Sequence, residues 1–353
     1  MVKIERYHGN NDSEIIEFLS KDNFMFASNS PSESVIASVF DYQHKTNNYD
    51  QMYGTVMRNK ERQIIGYLGT LAFPVLFNGK ELTAVQTSSA YVDKNYPGNF
   101  KKMVEHYIDE NEGIPTFTIF PVPKIYSSFE KLGFVEVNNR RFKKNYYIVC
   151  DYGSFLCEFV AHVKWVAAFL KMMTPILNFV LPRPSTTINH PTQRLNSFQN
   201  DYSLIEQDYI MRVSGLCSAK WSKKVLSDKF ANKLNIDGDK LGENEVIHIC
   251  SFNSNNQVIG SLVLKKIRNY NRLIISDLQT ISCDRIGIIE SLMSAAFVEL
   301  EKLRYNSIMY FGLEEMYVEI LTKKFITVRK SVDKRVYYKS YQAISVDEIN
   351  LVF

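Results

Sequence analysis

The chain is the same unit written twice. The run Asn59-Lys60-Glu61-Arg62-Gln63-Ile64-Ile65-Gly66-Tyr67-Leu68 returns as Asn253-Ser254-Asn255-Asn256-Gln257-Val258-Ile259-Gly260-Ser261-Leu262, 194 residues later. Gln86-Thr87-Ser88-Ser89 matches Gln279-Thr280-Ile281-Ser282 at an offset of 193, and Lys131 faces Lys323 at 192. Each match alone is weak. Chance matches would scatter in offset, whereas these hold nearly constant, so a duplicated domain is expected. The length, 353 residues, suits two units that each bury a core.

Within copy one, a helix is expected over 13–21, capped by Asp12 or Ser13. Strands over 63–77 and 82–92 are rich in β-branched and aromatic residues, and Asn78-Gly79 joins them as a hairpin turn. A helix over 100–110, a short strand over 116–120 and a helix over 127–131 follow. A strand over 135–138, with 146–149 as its partner, closes the copy. Copy two offers strands over 246–250 and 258–264 and a helix over 286–304. The fold class is α/β: two tandem domains, each a mixed, mostly antiparallel twisted sheet flanked by helices. The expected boundaries are 1–150, an apolar helix and linker over 151–200, and 201–353.

Residues 155–181 are strongly apolar, but Glu158, His162, Lys164 and Lys171 interrupt them, and no apolar run reaches the roughly 20 residues of a membrane span. A helix packed between domains is the preferred reading; a helix making weak contact with a membrane surface is the other. Pro175 ends or kinks it. The stretch 182–193, with three prolines, reads as the linker.

A net charge of +4 is too small to imply a nucleic-acid partner. Five cysteines, an odd number without metal-ligand spacing, imply no metal and suit a reducing, cytoplasmic setting. The first residues carry no apolar run of the signal-peptide kind.

The order of elements, together with Phe129-Glu130-Lys131-Leu132-Gly133-Phe134, resembles the tandem members of the GNAT (Gcn5-related N-acetyltransferase) superfamily, whose late helix carries Y-x-K-L-G-F. Gly133 then stops the helix in the left-handed conformation that glycine enters freely. The resemblance is most specific over 60–150; over 200–353 it rests on element order. It implies that two neighbouring strands splay and that acyl-coenzyme A lies between them. Backbone groups of the strand over 86–92 would bind the pantetheine and stabilise the oxyanion. The implied cofactor contacts are Ser89, Ala90, Tyr91 and Val92 on the strand. Asn95, Tyr96, Pro97, Gly98, Asn99, Phe100, Lys101 and Lys102 follow, where a loop meets a helix N-terminus suited to a pyrophosphate.

The loop departs from the family's Q/R-x-x-G-x-G/A pattern: Asn99 or Phe100 replaces the second glycine, and the arginine is missing. Lys101 and Lys102 would supply charge instead. Read alone, 94–102 is equally a plain turn and helix start. Copy two has one glycine over 281–287 and no tight phosphate loop, so copy one alone is expected to bind coenzyme A.

The family often places a proton-donating tyrosine where Phe129 stands. Tyr126, three residues earlier, is the candidate substitute, against an ordinary core tyrosine. Gln86 and Ser88 lie on or beside the splayed strand as further catalytic candidates. His8, Asp41 and His44 are candidates on the acceptor side, and Asp277 and Gln279 would line an acceptor cleft between the copies. Chains of this size with one degenerate copy are similar to bacterial nucleotide-sugar N-acyltransferases of surface-polysaccharide biosynthesis. That implies transfer from acyl-CoA to the amine of a dTDP-type amino sugar by direct attack on the thioester. The alternatives are a tRNA-dependent aminoacyl transferase of the tandem type, which the basic cluster at 140–144 keeps open, and a non-catalytic scaffold at a membrane surface.

Overall fold

The computed structural model describes the chain except residues 1, 10–11, 21–53, 97, 120, 122, 138–141, 182–183, 185–186, 232–244, 268–269, 333, 340–348 and 350–353; of 88–89 and 228–231 it describes the backbone only. Copy one comprises β1 (Lys3–Tyr7), α1 (Asp12–Leu19), β2 (Gly54–Arg58), β3 (Ile64–Phe77), β4 (Lys80–Val92), α2 (Asn99–Glu110), β5 (Thr116–Ile119), α3 (Tyr126–Lys131), β6 (Val135–Glu136) and β7 (Lys144–Val149). A helical hairpin, α4 (Tyr152–Phe159) and α5 (Lys164–Val180), comes next. Copy two comprises β8 (Thr192–Leu195), α6 (Ser203–Arg212), β9 (Ser218–Ala219), α7 (Lys223–Ala231), β10 (Val246–Phe252), β11 (Val258–Ile267), β12 (Arg272–Thr280), α8 (Arg285–Lys302), β13 (Ser307–Tyr310), α9 (Glu315–Lys324), β14 (Thr327–Ser331) and β15 (Val336–Lys339). The expected linker thus ends at β8, a strand of the second sheet.

The repeated asparagine–glutamine segments are the β2–β3 and β10–β11 turns, and they fold alike bond for bond. Asn59 N–H donates to the Gln63 carbonyl (3.0 Å) and Gln63 N–H to Asn59 Oδ1 (2.9 Å). Asn253 and Gln257 make the same two bonds at 3.1 and 2.9 Å. Arg62 and Asn256 hold the left-handed position in each. The Asn78-Gly79 hairpin has positive φ at both residues, which matches the right-handed twist of its strands.

The two sheets have the same order with one strand exchanged. Sheet one runs β1-β2-β3-β4-β5-β15-β6, and sheet two runs β8-β10-β11-β12-β13-β7-β14. β7 therefore does not close copy one as expected. It pairs with β13 and β14, while β15 pairs with β5 and β6. β9 adds to the lower part of β3, and Cys217 bridges Ile349. Val75, Ala84, Phe117 and Phe142 of copy one bury one core with Cys217, Val336, Tyr338 and Ile349 of copy two. The copies are interlocked.

α2 and α3 cover one face of sheet one through Met103, Val104, Tyr107 and Phe129, and α1 covers part of the other through Ile15, Phe18 and Leu19. In copy two, α8 and α9 pack on sheet two through Ile288, Leu292, Tyr317 and Leu321. Gly133 ends α3 at φ 81. Phe134 N–H reaches back to the Phe129 carbonyl (3.1 Å) and Gly133 N–H to Glu130 (3.0 Å), the Schellman closure of a helix. One expectation is corrected: the 155–181 segment is not a helix packed between domains. α4 rests on sheet two through Tyr152 and Phe155, α5 lies over α4, and no residue of α5 is buried.

Candidate active site

β4 and β5 run parallel and pair only over Val85–Thr116, Gln86–Phe117 and Thr87–Thr118. Beyond Thr87 the two strands part, and β4 continues to Val92 with β3 as its partner. The Thr87 hydroxyl donates to Thr118 Oγ1 (2.9 Å) where the split begins. Nothing in the sequence signalled that buried pair. Between the pairs Gly69–Ser88 and Tyr67–Tyr91, two residues of β4 (89 and 90) lie opposite one of β3 (Leu68), so β4 carries one extra residue at 89–90. Such a bulge bends a strand and re-aims its groups. Asp93 N–H is bonded to the Ile65 carbonyl (2.9 Å), and strand alternation turns the Val92 N–H the other way, into the split.

The loop after β4 closes on Asp93. Asn95 N–H donates to Asp93 Oδ1 (2.8 Å) and Tyr96 N–H to its carbonyl (3.0 Å). Gly98 precedes α2 at φ 82, and a side chain there would meet nothing within 4 Å. No side chain caps α2, and its first turn has no acidic residue; Asn99 N–H reaches back to the Tyr96 carbonyl (3.5 Å). Asn99 donates to the Tyr96 carbonyl (3.1 Å) and Phe100 is buried. Lys101 and Lys102 are exposed, Lys101 beside Glu105 (3.3 Å). Behind the loop lies a cavity of about 420 Å³, lined among others by Glu14, Glu17, Asn59, Gln63, Asp93 and Tyr96. Glu14 in that lining is paired with Arg58, and no group of three metal-ligating side chains is found among the described residues.

Tyr126 opens α3, 8% exposed, with the Arg335 guanidinium 4.4 Å over its ring and Tyr337 alongside. Phe129, at the family's tyrosine position, is fully packed against Phe100, Phe134 and Tyr337. The Tyr337 hydroxyl is spent on Glu130 (3.0 Å), and burial pushes its pKa up to about 12.

The remaining expected residues are dispersed. Gln86 is half-buried on the face of β4 that carries Ala84, the side toward copy two. His8 is exposed just past β1, three strand positions from β4. Ser88 and Ser89 lie on the split strand by their backbone; Asp41, His44 and Pro97 lie outside the described residues. Asp277 and Gln279 are inside copy two rather than on a cleft wall: Trp221 Nε1 donates to Asp277 (3.1 Å) and Arg212 to Gln279 (2.9 Å). The Gln86–Gln279 match between the copies is out of register. Gly66 pairs with Val92 and Gly260 with Thr280, so Thr280 corresponds to Val92 and Gln279 to Tyr91.

Copy two has the same split with different contents. β12 pairs β13 only over Arg272–Ile274 and then runs on to Thr280. The Thr280 N–H that faces the split is taken by the Tyr317 hydroxyl (3.0 Å). Arg212 enters an ionic contact with Glu314 and a longer one with Asp208 (3.4 Å). α8 is capped by Asp284, which accepts from Gly287 N–H (3.3 Å).

No family model matches the sequence, and no curated protein does. Solved structures with a similar fold include a GCN5-related N-acetyltransferase from Anabaena variabilis ATCC 29413 (TM-score 0.58, 10% identity, covering 97% of this chain and 73% of that one). A probable N-acyltransferase from Enterococcus faecalis V583 matches at 0.56 and 10%, covering 95% and 72%. Saccharomyces cerevisiae N-myristoyltransferase with bound myristoyl-CoA matches at 0.54 and 11%, covering 97% and 83%. At such low identity the likeness is one of fold, and over nearly its whole length this chain has the fold of the GNAT-type N-acyltransferases.

Proposed function

We propose that the chain is an N-acyltransferase that draws its acyl group from a coenzyme A thioester held by copy one alone. The observation that carries this reading is the asymmetry of the two splits. Copy one offers an edge N–H at Val92 and an uncapped α2 N-terminus behind Gly98, whereas Tyr317 and Asp284 occupy the corresponding donors of copy two. Ala90, Tyr91 and Val92 would hold the pantetheine by their backbone. The first turn of α2, with Lys101 and Lys102 nearby, would hold the pyrophosphate.

Chemistry then needs little from side chains. The neutral acceptor nitrogen attacks the thioester carbonyl, backbone N–H groups of β4 stabilise the oxyanion, the nitrogen gives up its proton to solvent water, the C–S bond breaks, and the thiolate leaves with a proton. Tyr126 is the proposed donor. Its support comes from copy two, where Tyr317, near the start of the corresponding helix α9, does reach the edge of β12. Positioning supplies much of the remaining rate.

The acceptor is an amine that enters on the Gln86 face of β4, between the copies. The finer reading, a nucleotide-linked amino sugar, draws on the sequence resemblance; Asp277 and Gln279 lend it no support, being internal to copy two. Thermal denaturation of the whole chain with coenzyme A, dTDP or tRNA tests the proposal. Coenzyme A raises Tm and tRNA does not; a rise with dTDP supports the sugar-nucleotide acceptor. No response to coenzyme A at millimolar concentration sinks the proposal.

A further inference from the structure

α5 combines two properties that seldom go together. It is apolar on nearly every side, which ordinarily marks a buried helix, yet none of its residues is buried. Its attachment is a narrow strip. Thr174 lies against Gly153, where a side chain would collide at 1.9 Å. Asn178 accepts from Tyr152 N–H (2.9 Å) and donates to Asp151 (3.1 Å), and Leu177 joins the core under α4. On the other side Trp165, Phe169, Met172, Ile176 and Phe179 are 76, 53, 69, 54 and 90% exposed. Steps of four, three, four and three place these five on one stripe. A continuous exposed stripe of this kind marks an interaction surface.

We propose that α5 is an interfacial anchor that seats the protein on an anionic lipid surface. Charge selects that occupant. The helix has no acidic residue; its only charged side chains, Lys164 and Lys171, are exposed one heptad apart. At about 100° per residue they flank the stripe on one side, about 100–120° from its axis, the level of the headgroups when the stripe is immersed. The acids near it are spoken for: Asp151 caps α4 at Ser154 and accepts from Asn178 (3.1 Å), and Glu158 accepts from Asn306 (2.6 Å) and pairs with Arg272. Two copies packed through α5 would set lysines against each other with no carboxylate between them. The helix lies on the surface rather than through it: no helix among the described residues is long and apolar enough to cross a membrane. The anchor is independent of the proposed acyl transfer.

The chain reports on this itself. It has two tryptophans: Trp221 is buried and bonded to Asp277, while Trp165 is 76% exposed on the stripe. The full chain is mixed with phosphatidylcholine vesicles, with or without about one-third phosphatidylglycerol, and followed by sedimentation and tryptophan emission. Anionic vesicles are expected to carry the protein down and shift Trp165 emission to the blue, less so in high salt. Phe169→Glu with Met172→Glu reduces the bound fraction more than about tenfold, and Lys164→Gln with Lys171→Gln removes the preference for anionic lipid. An emission spectrum unmoved by either vesicle overturns the proposal. So does a vesicle-free dimer whose Trp165 emission is already blue-shifted, because a second copy then covers the stripe.

Discussion

At corresponding places the two copies treat the split strand in opposite ways. In copy two a tyrosine hydroxyl occupies the edge N–H of Thr280, a carboxylate caps α8, and an Arg212–Glu314 contact lies beside Gln279. In copy one the equivalent strand ends in Val92, the equivalent helix begins behind Gly98, and no side chain caps it. The Tyr317 hydroxyl and the Asp284 carboxylate accept backbone N–H bonds, as a pantetheine amide carbonyl and a phosphate oxygen would. Copy two satisfies from within its own chain the donors that, on the proposed reading, copy one offers to a ligand. On that reading the second site is filled with the fold kept, because unpaired buried donors would cost about 1–3 kcal/mol each.

The largest expected effect is at Gly98. Asn and Asp have nearly the same shape and tolerate the left-handed conformation, so comparing Gly98→Asn with Gly98→Asp isolates charge. A unit charge about 4 Å from a phosphate costs about 4 kcal/mol at an effective dielectric of 20. Gly98→Asp should therefore weaken coenzyme A binding about 10³-fold and Gly98→Asn far less. Equal affinities would break the comparison.

Next comes pH, which acts on copy two. His248 is buried between Ser261 (3.0 Å) and Cys250 (3.2 Å), and burial lowers its pKa from 6.5 to about 4. Between those values the unfolded chain binds a proton that the folded chain refuses. Stability is thus full above about pH 6.5 and falls as pH drops toward 4, by about 3 kcal/mol from this group. Denaturation midpoints across that window measure the slope, and His248→Asn should flatten it.

A similar size is expected of Tyr126→Phe, which keeps the ring under Arg335 and removes one hydroxyl. As the proton donor it should lower kcat by about 10²-fold, with KM little changed; an unchanged kcat makes Tyr126 a core residue. The smallest effect sharpens the comparison from the other side. Asp284→Ala removes the α8 cap and should cost about 1 kcal/mol of stability, read as a lower denaturation midpoint, with coenzyme A affinity untouched.

How legible all this was depended on range. The Asn–Gln turns were readable because each is a local hydrogen-bonded device repeated residue for residue, and Gly133 because only a local conformation is at stake. The strand exchange was not. Tyr146-Tyr147-Ile148-Val149 and Val336-Tyr337-Tyr338 are both short apolar strands, and nothing in either names its sheet. A fragment ending at 150 would carry β7 without partners and lack the strand between β5 and β6, so domain function is better tested in the whole chain. The length of the first hairpin defeated the Gln86–Gln279 match: Gly66 to Val92 spans 26 residues (92 − 66) and Gly260 to Thr280 spans 20 (280 − 260), so the offset changes by six across it. The position of α5 was hidden for a different reason. Apolar composition predicts burial, and only the packing revealed that its partner surface is narrow.

Calorimetric titration of coenzyme A into the whole chain, its Gly98→Asp variant and its Tyr317→Phe variant tests the central claim most directly. The account predicts one molecule bound per chain, binding lost in Gly98→Asp, and the parental affinity and stoichiometry in Tyr317→Phe. Two molecules per chain, or parental affinity in Gly98→Asp, would contradict it.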